Sequence, residues 1–186
     1  MAVKLAQRLI TVEEYYKMAE AGILDEDDRV ELIDGKIIEM SPIGSKHASC
    51  VDKIVALLNR LNRPDILIRG QNPIRLGRYS EPEPDVTVVK FSPDYYSGKH
   101  PSAKDILLVI EVADSSLEYD REVKLPLYAS AKIPECWIVN LEKKEIETYH
   151  SPAGSRYKSN ELFLFDDEIL VRPAEVAFKV SELVVG

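Results

Sequence analysis

Two carboxylates stand where a soluble chain seldom puts one. EPEPDVTVVK carries Asp85 and DILLVIEVA carries Glu111, and both runs are otherwise apolar and rich in β-branched residues. Such runs read as buried strands. An unpaired carboxylate there is expensive or keeps its proton. Two of them call for a cation, a metal or a proton to meet the charge, and a divalent metal is the leading reading. Alternate strand residues face one side, so Leu107, Val109, Glu111 and Ala113 share a face. If the two acid strands pair, Asp85 and Glu111 converge. That arrangement suits a hard cation that keeps several waters and activates one for attack on a phosphodiester.

Further along, Asp120, Lys124 and Tyr128 are spaced to line one face of a helix. Lys124 is placed to reach over the end of the Glu111 strand, where it would orient water and stabilise developing charge. The plain alternative is an exposed Asp120–Lys124 helix pair worth about 0.3 kcal/mol. The residues alone favour that alternative slightly. His47 falls at the first turn of an inward helix stripe, where it either contacts phosphate or is a satisfied structural histidine. Gln71, after Gly70, reaches toward the acids from a neighbouring strand. Tyr128 packs on Lys124 or bonds to it and is, with His47 and Gln71, a candidate substrate contact, while Glu83 reads as a solvated strand-entry residue.

The elements that must position these groups are legible by pattern. Thr11 and Glu14 make a capping box for a helix that Gly22 ends. Asp34-Gly35 centres a hairpin in RVELIDGKIIEM. Residues 45–62 carry Val51, Ile54, Val55, Leu58 and Leu61 on one helical face. ILIRGQ and PIRLGR are expected to pair as strands ahead of the Asp85 strand, and FSPDYYSGKHPS is a loop. Ser115 and Glu118 form a second capping box, opening a helix that Pro126 should kink or shorten. ECWIVN and KEIETYH form a hairpin, followed by ELFLF and EILV. The expected architecture is α/β to α+β: a mixed, twisted sheet flanked by helices, with an N-terminal helix and hairpin.

At 186 residues the chain is expected to form one domain over residues 1–186. Two cysteines without C-x-x-C spacing suit a reducing compartment. The start turns acidic too early for a signal peptide, and no apolar run could span a bilayer, so a soluble cytoplasmic protein is expected. The net charge of −8 argues against nucleic acid, but it is unevenly distributed. Seven basic residues from Lys46 to Arg78 face only Asp52 and Asp65, a local +5 that leaves −13 elsewhere. These form either a basic face able to approach phosphates or the solvated side of a helix. No Ser-His-Asp order, phosphate-binding glycine loop or zinc-ligand spacing is present.

EPEPDVTVV followed by VIEVA resembles the P-D…(D/E)-x-K core of the restriction-endonuclease-like nuclease superfamily. TVEEYYKMAEAG, RVELIDGKIIEMSP, EPDVTVV, IEVADSSLEYDREVKLPLYA and IPECWIV, in that order, resemble a large bacterial family of small restriction-endonuclease-like proteins. The resemblance covers nearly the whole chain. It implies that Asp85 and Glu111 hold Mg²⁺, for which Mn²⁺ can substitute, with the Val112 carbonyl completing that shell. Glu31 is implied as a further ligand or water-positioning group. The superfamily lysine would fall at residue 113, where this chain has Ala113. In the family it is displaced to the next helix, which corresponds to Lys124. The function implied is Mg²⁺-dependent endonucleolytic hydrolysis, with DNA as partner and a homodimer as one arrangement. The rival readings are a nuclease fold retained to bind nucleic acid or protein without catalysis, and a small-molecule phosphodiesterase.

Overall fold

The computed structural model describes residues 7–25 and 27–185. Helix α1 (Val12–Glu20) opens as its capping box requires: the Glu14 amide donates to Thr11 Oγ1 at 3.2 Å and the Thr11 amide to Glu14 Oε2 at 3.0 Å. Strands β1 (Val30–Ile33) and β2 (Lys36–Glu39) form the hairpin around Asp34-Gly35. Both turn residues have positive φ, as a two-residue hairpin demands. β1 then leans on the segment before Asp85, exchanging backbone bonds between Leu32 and Glu81. This contact carries Glu31 to the far end of the sheet.

The main sheet has six strands in the order β3-β4-β5-β6-β7-β8: β3 (Ile66–Gly70), β4 (Val86–Lys90), β5 (Ile106–Ala113), β6 (Glu135–Asn140), β7 (Glu145–Ala153) and β8 (Arg156–Phe163). All neighbours are antiparallel except β5 and β6. That parallel step needs a crossover, and the helical stretch after β5 supplies it. A second hairpin pairs β9 (Glu168–Val171) with β10 (Val176–Lys179). The mixed sheet flanked by helices is the expected fold class.

Helix α2 (Ser45–Asn59) covers one face with Cys50, Val51, Ile54 and Leu58, against Val86, Val88, Leu108, Ile110, Val112 and Trp137. A fully buried side chain of this kind contributes about 1.5–3 kcal/mol. The opposite face carries Val89, Val109 and Cys136 under Tyr128, Ile133 and Ile74. Glu111 follows Val109 by two residues on this second face.

Several expectations are corrected. PIRLGR does not pair with β3, because it folds back on itself: the Ile74 amide bonds Pro82 O and the Leu76 amide bonds Ser80 O. β3 pairs directly with β4 instead. The shared face of β5 does not extend to Leu107, since an irregularity between Val88 and Val89 shifts the register and Leu107 packs into the α2 core. The Ser115–Glu118 capping box does not form. Ser116 is the N-cap, and its hydroxyl donates to Asp120 Oδ2 at 2.7 Å and accepts no capping bond from a backbone amide. The helix begins as α3 (Leu117–Tyr119), widens to a π-turn over Asp120–Lys124 and resumes as α4 (Leu125–Ser130). The π-turn lets the Leu125 amide reach Asp120 O, and Pro126, which has no amide to offer, then sits in the first turn of α4.

Three of the seven basic residues from Lys46 to Arg78 have backbone-carbonyl or carboxylate partners among the described residues. Lys53 bonds the carbonyls of Ser181 and Val184, Arg63 bonds Ala174 O and Asp65, and Arg75 pairs with Glu13. No described helix is long and apolar enough to cross a membrane.

Candidate active site

A cleft of about 350 Å³ opens where the start of β4, the end of β5, the hairpin and the two helical segments meet. Its lining includes Glu31, His47, Gln71, Asp85, Glu111 and Lys124. Residues from six separate stretches of sequence therefore share one space. Seven carboxylates line it, against only Arg29 and Lys124 among fully basic side chains.

β4–β5 pairing brings Asp85 and Glu111 together, with the Asp85 amide 3.4 Å from Glu111 Oε2. Asp85 Oδ2 accepts from the Val112 amide at 2.8 Å and lies 3.0 Å from His47 Nε2. Ala113 turns its carbonyl toward β6, where Leu141 donates to it at 3.0 Å. The N–H and C=O of one strand residue leave by the same edge, and that edge alternates. Val112 therefore directs its carbonyl to the Asp85 side, along with the amide that bonds Asp85.

Lys124 is buried, with Nζ 3.3 Å from Glu111 Oε1 and 3.5 Å from Glu31 Oε2. The same Glu111 oxygen accepts from the Tyr128 hydroxyl. Glu31 is fully engaged: Oε2 accepts the Glu83 amide at 3.1 Å, and Oε1 accepts the Tyr119 hydroxyl at 3.2 Å. Asp120 and Lys124 are only 3% and 7% exposed, so the surface-pair reading is wrong for both. Burial of the π-turn's inner side keeps them in the cleft.

The electrostatics follow from this crowding. Burial raises the Glu111 pKa, and Asp120 and Asp85 reinforce the shift while Lys124 opposes it. Burial also raises Asp120 and Glu83. For Lys124, burial acts to remove the proton, but Glu111, Glu31, Asp120 and Asp85 outweigh it and lift the pKa above the lysine range. These directions compete, since a proton on Glu111 weakens its hold on Lys124. The ammonium is the firmer of the two because three other carboxylates also support it. His47 is raised by its hydrogen bond to Asp85, against desolvation.

Four acids around one buried lysine leave negative charge unmatched, and that excess fits a cation. Among the described residues, no three His, Cys, Asp or Glu side chains converge as a ready ligand set. The groups present could hold a hard ion through two carboxylates, a main-chain carbonyl and water. Asp85 Oδ1 and Glu111 Oε2 are the less engaged oxygens, since Glu111 Oε2 accepts only the Asp85 amide at 3.4 Å while the other oxygen of each is taken by amide, imidazole, phenol or ammonium.

Of the residues singled out by sequence, Glu31, Asp85, Glu111, Lys124, His47 and Gln71 line the cleft. Tyr128 does not. It is fully buried behind Glu111 and bonds that carboxylate, so it has no surface for a substrate. His47 is occupied by Asp85. Glu83 is half-buried in the cleft rather than solvated. Its position two residues before Asp85 was the signal available. Tyr119 had no such signal, since its role depends on β1 arriving from elsewhere in the chain.

A family model described as "Uma2: Putative restriction endonuclease" matches residues 12–181. A solved structure, described as a putative nuclease belonging to DUF820 from Anabaena variabilis ATCC 29413, is similar at 17% sequence identity with a TM-score of 0.71. That match covers 94% of this chain and 97% of the other. At this identity the likeness establishes the fold. No curated protein matches the chain.

Proposed function

The chain belongs to the Uma2 family of restriction-endonuclease-like proteins, and from that premise we propose that it is a metal-dependent nuclease hydrolysing phosphodiester bonds in DNA. The observation that carries the reading is the buried Lys124 ammonium set 3.3 Å from Glu111, beside Asp85, at the mouth of an acidic cleft. Asp85 Oδ1, Glu111 Oε2 and the Val112 carbonyl would hold Mg²⁺ or Mn²⁺. The ion would supply Lewis acidity and a water of lowered pKa.

The protein's own groups do the rest. Lys124 keeps its proton and offers N–H donors where charge develops on phosphate oxygen. Glu31, tied by the Tyr119 hydroxyl and the Glu83 amide, holds that ammonium in place. Tyr128 fixes the Glu111 rotamer from behind, leaving one oxygen directed at the cleft. His47 does the same for Asp85. Ala113 offers no ammonium at the usual lysine position, and Lys124 reaches Glu111 from the next helix instead. This weakens the rival reading of a fold that has lost catalysis along with its lysine.

The test compares wild type with Asp85→Asn and Glu111→Gln on supercoiled DNA in Mg²⁺ or Mn²⁺, with Mn²⁺ binding followed separately by electron paramagnetic resonance. Each variant should lose at least 10³-fold in cleavage, about 4 kcal/mol of transition-state stabilisation, and bind Mn²⁺ weakly. Full cleavage by either variant would overturn the assignment. Hydrolysis of small diesters but not DNA would instead favour the phosphodiesterase reading.

A further inference from the structure

Arg69 is the one arginine of the 46–78 cluster whose half-buried guanidinium has no carboxylate within ion-pair distance among the described residues, while Arg63 and Arg75 each have one. Its Nη2 donates to Asn72 Oδ1 at 3.2 Å, and its Nε is buried without a partner. The guanidinium carbon lies 5.8 Å from the centre of the Tyr96 ring. That ring is itself pinned by a hydroxyl bond to Lys90 O at 2.7 Å. Tyr96 holds a left-handed backbone at φ 60°, which costs a non-glycine residue about 1 kcal/mol or more. A flat cation is thus stacked and oriented with part of its donor fork unused. A partly buried charge without a counter-charge is unfavourable unless an anion completes it.

The position of Arg69 says which anion. It stands opposite Thr87 on the edge strand β3, and residues directly opposite share a sheet face. Leu67 and Val89, one pair along, lie in the core on the side of Val109 and Glu111. Arg69 therefore looks out on the face that carries the cleft. Two residues on, the Gln71 amide bonds Asp85 O at 2.9 Å, and Gln71 lines the cleft. Gln71 lies just past the end of β3, and two residues of chain reach at most about 7 Å, the scale of one nucleotide step.

We propose that Arg69, stacked on Tyr96, binds the backbone phosphate next to the one being cut, so that the cleft takes a nucleic-acid strand rather than an isolated phosphodiester. This inference rests on the nuclease reading of the cleft and adds to it a second phosphate site. A planar fork suits phosphate better than an ammonium does, so lysine should replace Arg69 only in part.

The test measures binding of a short fluorescein-labelled single-stranded oligonucleotide in Ca²⁺ by anisotropy across a salt series, for wild type, Arg69→Gln and Arg69→Lys. Cutting of the same oligonucleotide and hydrolysis of bis(p-nitrophenyl) phosphate are followed in Mn²⁺. Arg69→Gln should bind about tenfold more weakly, with the salt slope reduced by about 0.7 for one lost phosphate contact. Arg69→Lys should keep the slope and recover part of the affinity. Oligonucleotide cutting should fall at least tenfold further than hydrolysis of the small diester, which has no second phosphate. Equal binding by wild type and Arg69→Gln, or no binding by either, would overturn the inference. If the small diester is still hydrolysed in that case, the nuclease reading survives. Arg69-dependent binding with neither substrate hydrolysed would instead retain the phosphate site and remove the nuclease.

Discussion

Glu111 is buried where its charged form is disfavoured, and on the proposed reading a metal ion would meet that charge. Its folded pKa is raised above the ordinary 4.5 by burial. The stability this group contributes is therefore fully present below that value and is lost as pH rises through the higher folded value. Metal-free wild type should lose stability between about pH 5 and pH 8 from this site. Glu111→Gln, which cannot ionise, should lose less over the same interval. Thermal melts at the two pH values check this, and a wild-type melting temperature that tracks the variant's at both would refute it. Mg²⁺ reverses the sign for the wild type, since it takes the ionised carboxylate. It should raise the melting temperature more at pH 8 than at pH 5, and have little effect on Glu111→Gln.

Among the elements, the β1–β2 hairpin decides whether Glu31 reaches Lys124 at all. Gly35 sits at φ +73°, and a Cβ there would lie 2.6 Å from the Leu9 Cβ and 3.1 Å from the Ile10 nitrogen. Neither neighbour is a flexible tip. Gly35→Ala should therefore destabilise the protein by about 2 kcal/mol or more, from backbone strain and the clash together. Urea unfolding measures the loss, and a variant within 0.5 kcal/mol (roughly the surface-substitution range) would show that the turn is not under this constraint. Most of this hairpin was legible, because Asp34-Gly35 is a local turn signal. The π-turn was not. Pro126 announced an irregularity, but either a kink or a shortened helix would also have met its lack of an amide. The widened turn is favoured here because it buries both Asp120 and Lys124 toward the sheet, a requirement set by residues outside the helix. Ser115 and Glu118 form no capping box because the helix starts one residue later, with Ser116 at the N-cap.

Over the whole molecule, charge and function pull in different directions. The chain carries −8 and its cleft is lined by seven carboxylates, so on the nuclease reading proposed above a polyanion would meet repulsion at the place where it binds. Divalent cations should therefore be needed for nucleic-acid binding as well as for hydrolysis. Anisotropy with a labelled oligonucleotide should show affinity rising at least tenfold when about 10 mM Ca²⁺ replaces chelator at constant ionic strength. Equal affinity in both conditions would move binding away from the cleft. The expected basic face does not offset the acids, because Lys53, Arg63 and Arg75 are tied to the protein's own carbonyls and carboxylates. Arg69 is the half-buried arginine of this stretch that has no carboxylate partner among the described residues.

What the amino-acid sequence determined by itself was local or periodic: the Thr11 cap, the hairpin turn, the α2 stripe, and two carboxylates in strands too apolar to hold them unaided. Those signals arise from bonds and faces within a few residues, and they survive without knowledge of the rest of the chain. Only the tertiary structure decided that Lys124 is buried rather than paired on a surface, that Tyr128 backs Glu111 instead of facing a substrate, and that Glu31 arrives from a hairpin some 80 residues earlier in the chain. Each of those outcomes depends on strand order and on which edge a residue faces. Neither is encoded in any short window, because the groups that compensate a buried charge come from other parts of the fold.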